Sequence, residues 1–157
     1  MQVIATKEQV HAIVQEELAK AKDNIADNIE IEGKTASGKT AKGMRVLVAD
    51  EGSAVIGTLT GRAFFGALET GSKPWRVQYK RVPKFFADII AEWASAKGVD
   101  APPYAIATKI MREGSKQHRD GAITSVYSEE IDDTLERINN RVMGLFDGAI
   151  TESLKRE

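Results

Sequence analysis

Gly33-Lys34-Thr35-Ala36-Ser37-Gly38-Lys39-Thr40 satisfies the phosphate-loop pattern of a glycine, four residues, then Gly-Lys-Thr. In a working loop of this kind, backbone amides at a helix start cradle phosphates and the lysine reaches the terminal ones. Such a loop leaves a buried strand and enters a helix. Here the preceding Asn28-Ile29-Glu30-Ile31-Glu32 is half charged, and only Ala41 and Lys42 separate Thr40 from Gly43. No helix is expected there, and no second strand ends in a carboxylate for a magnesium shell. The segment reads as a flexible basic loop. A nucleotide-hydrolysing enzyme is the rival reading, and Lys39→Ala would abolish its activity.

The other residues capable of chemistry are sparse. His11 lies within a helical stretch beside Glu8 and Gln15, and His118 sits in a polar segment. Neither has a ligand partner at useful spacing, so each reads as a solvated surface residue and no metal or general base is expected. Glu129, Glu130, Asp132 and Asp133 decorate a helix start, where carboxylates are favoured by the dipole without any ion. No nucleophile elbow, histidine pair or dinucleotide fingerprint is present. No catalytic residue and no cofactor is nominated, and the chain is not expected to be an enzyme.

One segment invites a binding role. Lys73, Arg76, Lys80, Arg81 and Lys84 are interleaved with Trp75 and Tyr79, with no acidic residue between Ser72 and Lys84. Such a patch can neutralise phosphates while its aromatics stack on bases, or it can meet an acidic face of a neighbouring subunit. The net charge of −1 favours the protein partner, since no global field draws the chain to nucleic acid. A nucleic-acid-binding module that faces DNA through these five cations is the second rival. A steep salt dependence of DNA binding would distinguish it.

The elements that must position these residues follow from periodicity. Thr6 and Gln9 form a capping box, and Val10, Ile13, Val14, Leu18, Ala21, Ile25 and Ile29 then recur at helical steps. A helix from about Lys7 to Asn28 would be roughly 33 Å long. Residues 32–43 hold no apolar side chain larger than Ala and read as an exposed loop. Met44–Ala49 and Ala54–Leu59 read as a hairpin, and Ala63–Glu69 as a third strand.

Pro83 opens a helix whose apolar face comprises Phe85, Phe86, Ile89, Ile90, Trp93 and Ala94, and Lys97-Gly98 stops it. A shorter helix after Pro102-Pro103 ends at Gly114. Residues 115–125 read as a polar loop, and Ser128 as the cap of a long amphipathic final helix.

With 157 residues, 42% of them hydrophobic, one core and one domain are expected. The absence of cysteine excludes disulfides and thiolate metal sites and suits a reducing cytoplasm. Neither a signal peptide nor a membrane span is expected. The fold class is α+β: a long N-terminal helix and C-terminal helices packed on a small antiparallel sheet.

The run Phe64-Phe65-Gly66-Ala67-Leu68-Glu69-Thr70-Gly71-Ser72-Lys73-Pro74 resembles a recurrent phage segment in which an aromatic strand ends in Glu, Gly and a basic or proline-containing loop. Downstream, Ile89-Ile90-Ala91-Glu92-Trp93, Ala96-Lys97-Gly98-Val99, Tyr104-Ala105-Ile106-Ala107 and Lys109-Ile110 through Glu113-Gly114-Ser115 follow in the order of neck and tail-completion proteins of tailed phages. Upstream, Thr35–Thr40 before Met44-Arg45-Val46 is similar to the same family. The resemblance implies a virion subunit, made in the bacterial cytoplasm, that assembles with itself as a ring between connector and tail tube. Its partners would be other connector or tail proteins, with nonspecific DNA contact in the channel as an option and no membrane. The added 115–125 segment and the strong final helix leave a tail-terminator position open. The expected contact surface is Phe64, Phe65, Leu68, Glu69, Gly71, Lys73, Pro74 and Trp75, with Trp75→Ala weakening assembly more than folding. The first and last helices are expected to supply much of the packing between subunits.

Overall fold

Reciprocal capping starts the first helix: the Thr6 amide donates to Gln9 Oε1 at 2.8 Å and the Gln9 amide to Thr6 Oγ1 at 3.3 Å. This helix, α1 (Lys7–Ile31), continues past the expected end at Asn28. Gly33 then takes left-handed backbone (φ 64), and the Lys34 amide returns to the Ile29 carbonyl at 2.9 Å. The computed structural model describes residues 5–75 and 80–155, which fall into two units.

The first unit draws on residues 5–27, 44–60 and 127–155. Ile13, Val14, Leu18, Ala21 and Ile25 are buried, so the apolar stripe of α1 is covered by its own chain. One source of cover is a hairpin. The one-turn helix α2 (Lys39–Lys42) belongs to the second unit, and the strands β1 (Arg45–Glu51) and β2 (Ala54–Thr60) pair antiparallel with Val46 opposite Leu59 and Val48 opposite Gly57. Gly52 (φ 56) occupies the first position of the two-residue connection, where a hairpin turn demands left-handed backbone. Lys7 Nζ donates to the Gly52 carbonyl at 2.9 Å, and His11 Nδ1 lies 3.1 Å from Asp50 Oδ1. His11 is therefore half-buried and paired, not simply solvated.

Gly57 explains how closely α1 approaches the hairpin. A Cβ there would stand 2.5 Å from Val14 Cγ1 and 2.6 Å from Leu18 Cδ1, so only a glycine admits this packing without displacement.

In the second unit, residues 28–43 and 61–126, the expected third strand does not form. Residues 63–66 turn and lead into a single helical turn, α3 (Ala67–Thr70), so the sheet has two strands. Glu69 explains the departure: it is buried, and its side chain accepts from the Val126 amide at 3.0 Å, while its carbonyl accepts from the Thr124 amide at 3.0 Å.

Helices α4 (Lys84–Lys97) and α5 (Pro103–Glu113) form where they were expected and pack together around Val82, Phe86, Ile90, Ala107 and Met111. Of the apolar face assigned to α4, Phe86, Ile90 and Ala94 are buried, whereas Phe85 and Trp93 are exposed. Gly98 (φ 65) ends α4 in a left-handed cap.

Residues 115–125 are not wholly loop, because Ser115 accepts from the His118 amide at 3.3 Å and caps the turn α6 (Lys116–Arg119). Likewise a single turn, α2, forms at Lys39–Lys42, where no helix was expected.

The last helix, α7 (Ser128–Leu154), belongs to the first unit. Tyr127 stands at its cap and Ser128 is its first helical residue, one position later than the capping role expected of it. The fold is α+β with a long N-terminal helix, a long C-terminal helix and a small antiparallel sheet.

Candidate functional site

Four of the eight expected contact residues converge on one cleft within the second unit, with a volume of about 650 Å³. Phe64, Phe65, Leu68 and Gly71 line it from the 61–71 segment, Ile89 and Trp93 from α4, and Ile106 and Ile110 from α5. This size and apolar lining are typical of a binding cavity.

Phe64 carries positive φ (69°), which a bulky side chain adopts only under constraint. Its ring stacks on Phe85 at 6.4 Å and tilts against Phe86 at 5.7 Å. The aromatic cluster thus holds Phe64 on the cleft wall, and the residue remains 42% exposed.

Around the apolar walls stand six cations: Lys34, Arg62, Lys97, Lys109, Lys116 and Arg119. They come from five separate stretches of sequence, which is why no local pattern announces them. Several have partners. Lys34 Nζ donates to Gln117 Oε1 at 2.6 Å, Lys97 Nζ to the Gly33 carbonyl at 3.3 Å, and Arg119 to the Gly114 carbonyl at 2.7 Å. Lys116 pairs with Asp120. Arg119 Nη1 also lies 3.8 Å from Glu113 Oε2, whereas the amide and carbonyl partners of Lys34 and Lys97 leave their charges uncancelled, so that part of the rim stays cationic. The one carboxylate in the lining, Glu92, lies 3.0 Å from Lys39, which holds its pKa below the ordinary carboxylate value.

The same contacts dispose of the phosphate-loop pattern. Gly33–Thr40 follows the end of a helix, not a strand, and leads into one turn of helix. Its two lysines are spent on Gln117 and Glu92.

The remaining expected contact residues lie elsewhere. Glu69 is buried beneath the segment, and Lys73 and Pro74 are exposed outside the cleft lining. Trp75 packs edge-on against Phe86 (5.0 Å, 79°) beside the core, and its amide donates to the Met111 carbonyl at 3.1 Å. Of the cationic patch, Lys73, Lys80, Arg81 and Lys84 are exposed, and Lys84 Nζ lies 2.8 Å from Asp88 Oδ2, a partner the 73–84 count omits. Arg76 and Tyr79 lie outside the described residues. Among the described residues, no three His, Asp or Glu side chains cluster so as to hold a metal.

No protein-family model, curated protein or solved structure matches this chain. The functional reading therefore rests on surfaces.

The first unit offers a second surface that sequence reasoning did not resolve. At 100° per residue, Ile131, Ile138, Val142, Leu145 and Ala149 share the inner side of α7 and are half-buried, whereas Leu135, Met143, Phe146, Ile150 and Leu154 fall on an adjacent arc and are exposed. The apolar arc is wider than the unit can cover. Exposure reaches 59% at Ile150 and 69% at Leu154. On the same outward side lie Glu129, Asp132, Asp133, Glu136 and Asp147, all exposed. Arg137 and Arg141 turn the other way, to Glu17, Glu130 and Glu16.

Proposed function

We propose that this chain is a structural subunit of a tailed-phage virion, a ring-forming neck or tail-completion component that binds copies of itself and other connector or tail proteins. The supporting observation is the outward arc of α7, five large apolar side chains that the chain leaves in water. A monomer gains nothing from them, whereas a subunit buries them on assembly. The hairpin supports the same reading: Leu47 and Ile56 are exposed on its outer face, and as a two-stranded sheet among the described residues it keeps both edges open to pairing. By contrast, the apolar stripe of α1 is buried within the chain and is not free to pack against a neighbour.

The role is mechanical, with no catalytic residue, metal or cofactor. No helix among the described residues is long and apolar enough to cross a membrane. The test is light scattering over a rising concentration series, with electron microscopy of the purified chain and of intact particles. Ring-shaped oligomers, and density for the chain at the neck or tail end, are the expected results. A strict monomer that docks on neither connector nor tail particles would overturn the reading.

A further inference from the structure

The two surfaces described above are complementary. The cleft of the second unit is apolar within and lined by six cations, of which Lys116 and Arg119 are ion-paired with Asp120 and Glu113 and Lys34, Arg62, Lys97 and Lys109 have no carboxylate partner among the ion pairs of the described residues. The outward side of α7 is apolar with five carboxylates, its neighbouring arginines being turned to Glu16, Glu17 and Glu130. The excess of carboxylates on this side of α7, with Lys155 the exposed cation at its described end, makes a cationic groove a better electrostatic match than a second copy of the same face.

We propose that the subunits join head to tail, the outward face of α7 of one copy seated in the cationic cleft of the next. Phe146, Ile150 and Leu154 follow one another at one-turn spacing over about 12 Å, the anchor pattern of a helix laid in a groove. Asp147 beside them would meet the rim lysines, while Asp132 and Glu136 lie about 21 and 15 Å back along the helix from Phe146. Because the two surfaces are different patches, the contact is heterologous and repeats from copy to copy, as a ring requires. It fulfils the constraint on Phe64, whose ring is held on the wall that receives the helix. This inference rests on the ring-subunit reading and specifies which surfaces make the ring.

Two variants test it, each altering exposed side chains on one surface only. One carries Trp93→Ala with Lys109→Glu in the cleft, the other Phe146→Asp with Ile150→Asp on α7, and circular dichroism melts establish that both fold. Each alone is expected to be monomeric, with self-affinity weakened roughly thirtyfold or more, the scale of an interface hot spot. Mixed in equal amounts, they are expected to give a particle of twice the subunit mass that grows no further, because each retains one intact surface. If the wild type assembles and the mixture stays monomeric, or if either variant alone still forms rings, the head-to-tail contact is wrong while the ring reading survives. If the cleft variant assembles normally but loses binding to a short single-stranded DNA that the wild type holds, the cleft is a nucleic-acid site and the proposal falls. A wild type that never leaves the monomer overturns both readings.

Discussion

Arg137 Nε donates to Glu17 Oε2 at 2.9 Å, joining two helices whose sequence positions are 120 residues apart. Glu17 is only 1% exposed and sits in the apolar stripe of α1, where Arg141 and Lys20 also reach it. A buried carboxylate with several charge-assisted bonds fixes the register of α1 against α7 more than it adds net stability.

Glu17→Ala is expected to destabilise the first unit by about 2 kcal/mol, because Arg137 keeps Glu130 and Arg141 keeps Glu16, and both arginines remain partly hydrated. Replacing both arginines by alanine is expected to cost more than removing the acid, since Glu17 would stay buried with Lys20 as its remaining charged partner in the network. Urea unfolding of the three chains checks the order, and the reverse order would show that the pair contributes only packing.

The same network sets an acid limit. Hydrogen bonds from Arg141 and then Lys20 lower the Glu16 pKa from 4.5 to about 2, and the Arg141 hydrogen bond, ahead of the opposing cost of burial, lowers that of Glu17. For Glu130, burial is the largest influence and raises the pKa, but bonds from Arg137, Asn24 and Thr134 together reverse it. Carboxyls whose pKa is lower in the folded chain contribute their full stabilisation above pH 4.5 and lose it as pH falls toward the folded value. The urea midpoint is expected to be insensitive to these groups from pH 7 to 5 and to fall between pH 4.5 and about 2. Arg141→Gln is expected to flatten that fall, and an unchanged acid slope would count against the network.

Gly57→Val places a branched side chain where Val14 and Leu18 already stand. Leu18 can rotate, but Val14 has one stiff torsion and must move with its helix. A cost of about 1–3 kcal/mol is expected from overpacking. Gly52→Val is the informative comparison: a Cβ at Gly52 meets nothing within 4 Å, so its penalty comes from left-handed backbone alone. Nuclear magnetic resonance shifts at Val14 and Leu18 should change for the first variant and not the second.

Sequence periodicity was a sound guide to α1, α4, α5, α7 and the hairpin, because each has a face whose burial repeats at a regular step. It failed at Ala63–Glu69, where Phe64, Phe65 and Leu68 look like a strand. Their conformation is decided by Glu69 reaching Val126 and by the aromatic contacts of Phe64, both nonlocal. Apolar segments this short carry no period of their own. The cleft was half legible: Phe64, Phe65, Leu68 and Gly71 were singled out, but its rim gathers Lys34, Arg62 and Lys109 from stretches that only the fold brings together. The linear run from Lys73 to Lys84 was a less faithful guide, since Lys84 pairs with Asp88 on the next helical turn.

Trp75 shows what that difference means experimentally. Its place between Pro74 and Arg76 suggests an exposed assembly contact, for which Trp75→Ala would weaken association while sparing the fold. The structure instead sets the indole against Phe86 and the Val82, Ile90, Ala107 and Met111 cluster. Truncation there opens a cavity beside the core, and a loss of about 2–3 kcal/mol is expected, somewhat below that of a fully buried tryptophan because Trp75 is half-buried. Phe146→Ala is the converse case, an exposed ring on α7 whose removal should leave the melting temperature nearly unchanged and weaken association. Thermal melts and light scattering on both variants decide the matter, because the stability loss must follow Trp75 and the association loss must follow Phe146. The opposite assignment would mean that Trp75, and not α7, meets the neighbouring subunit.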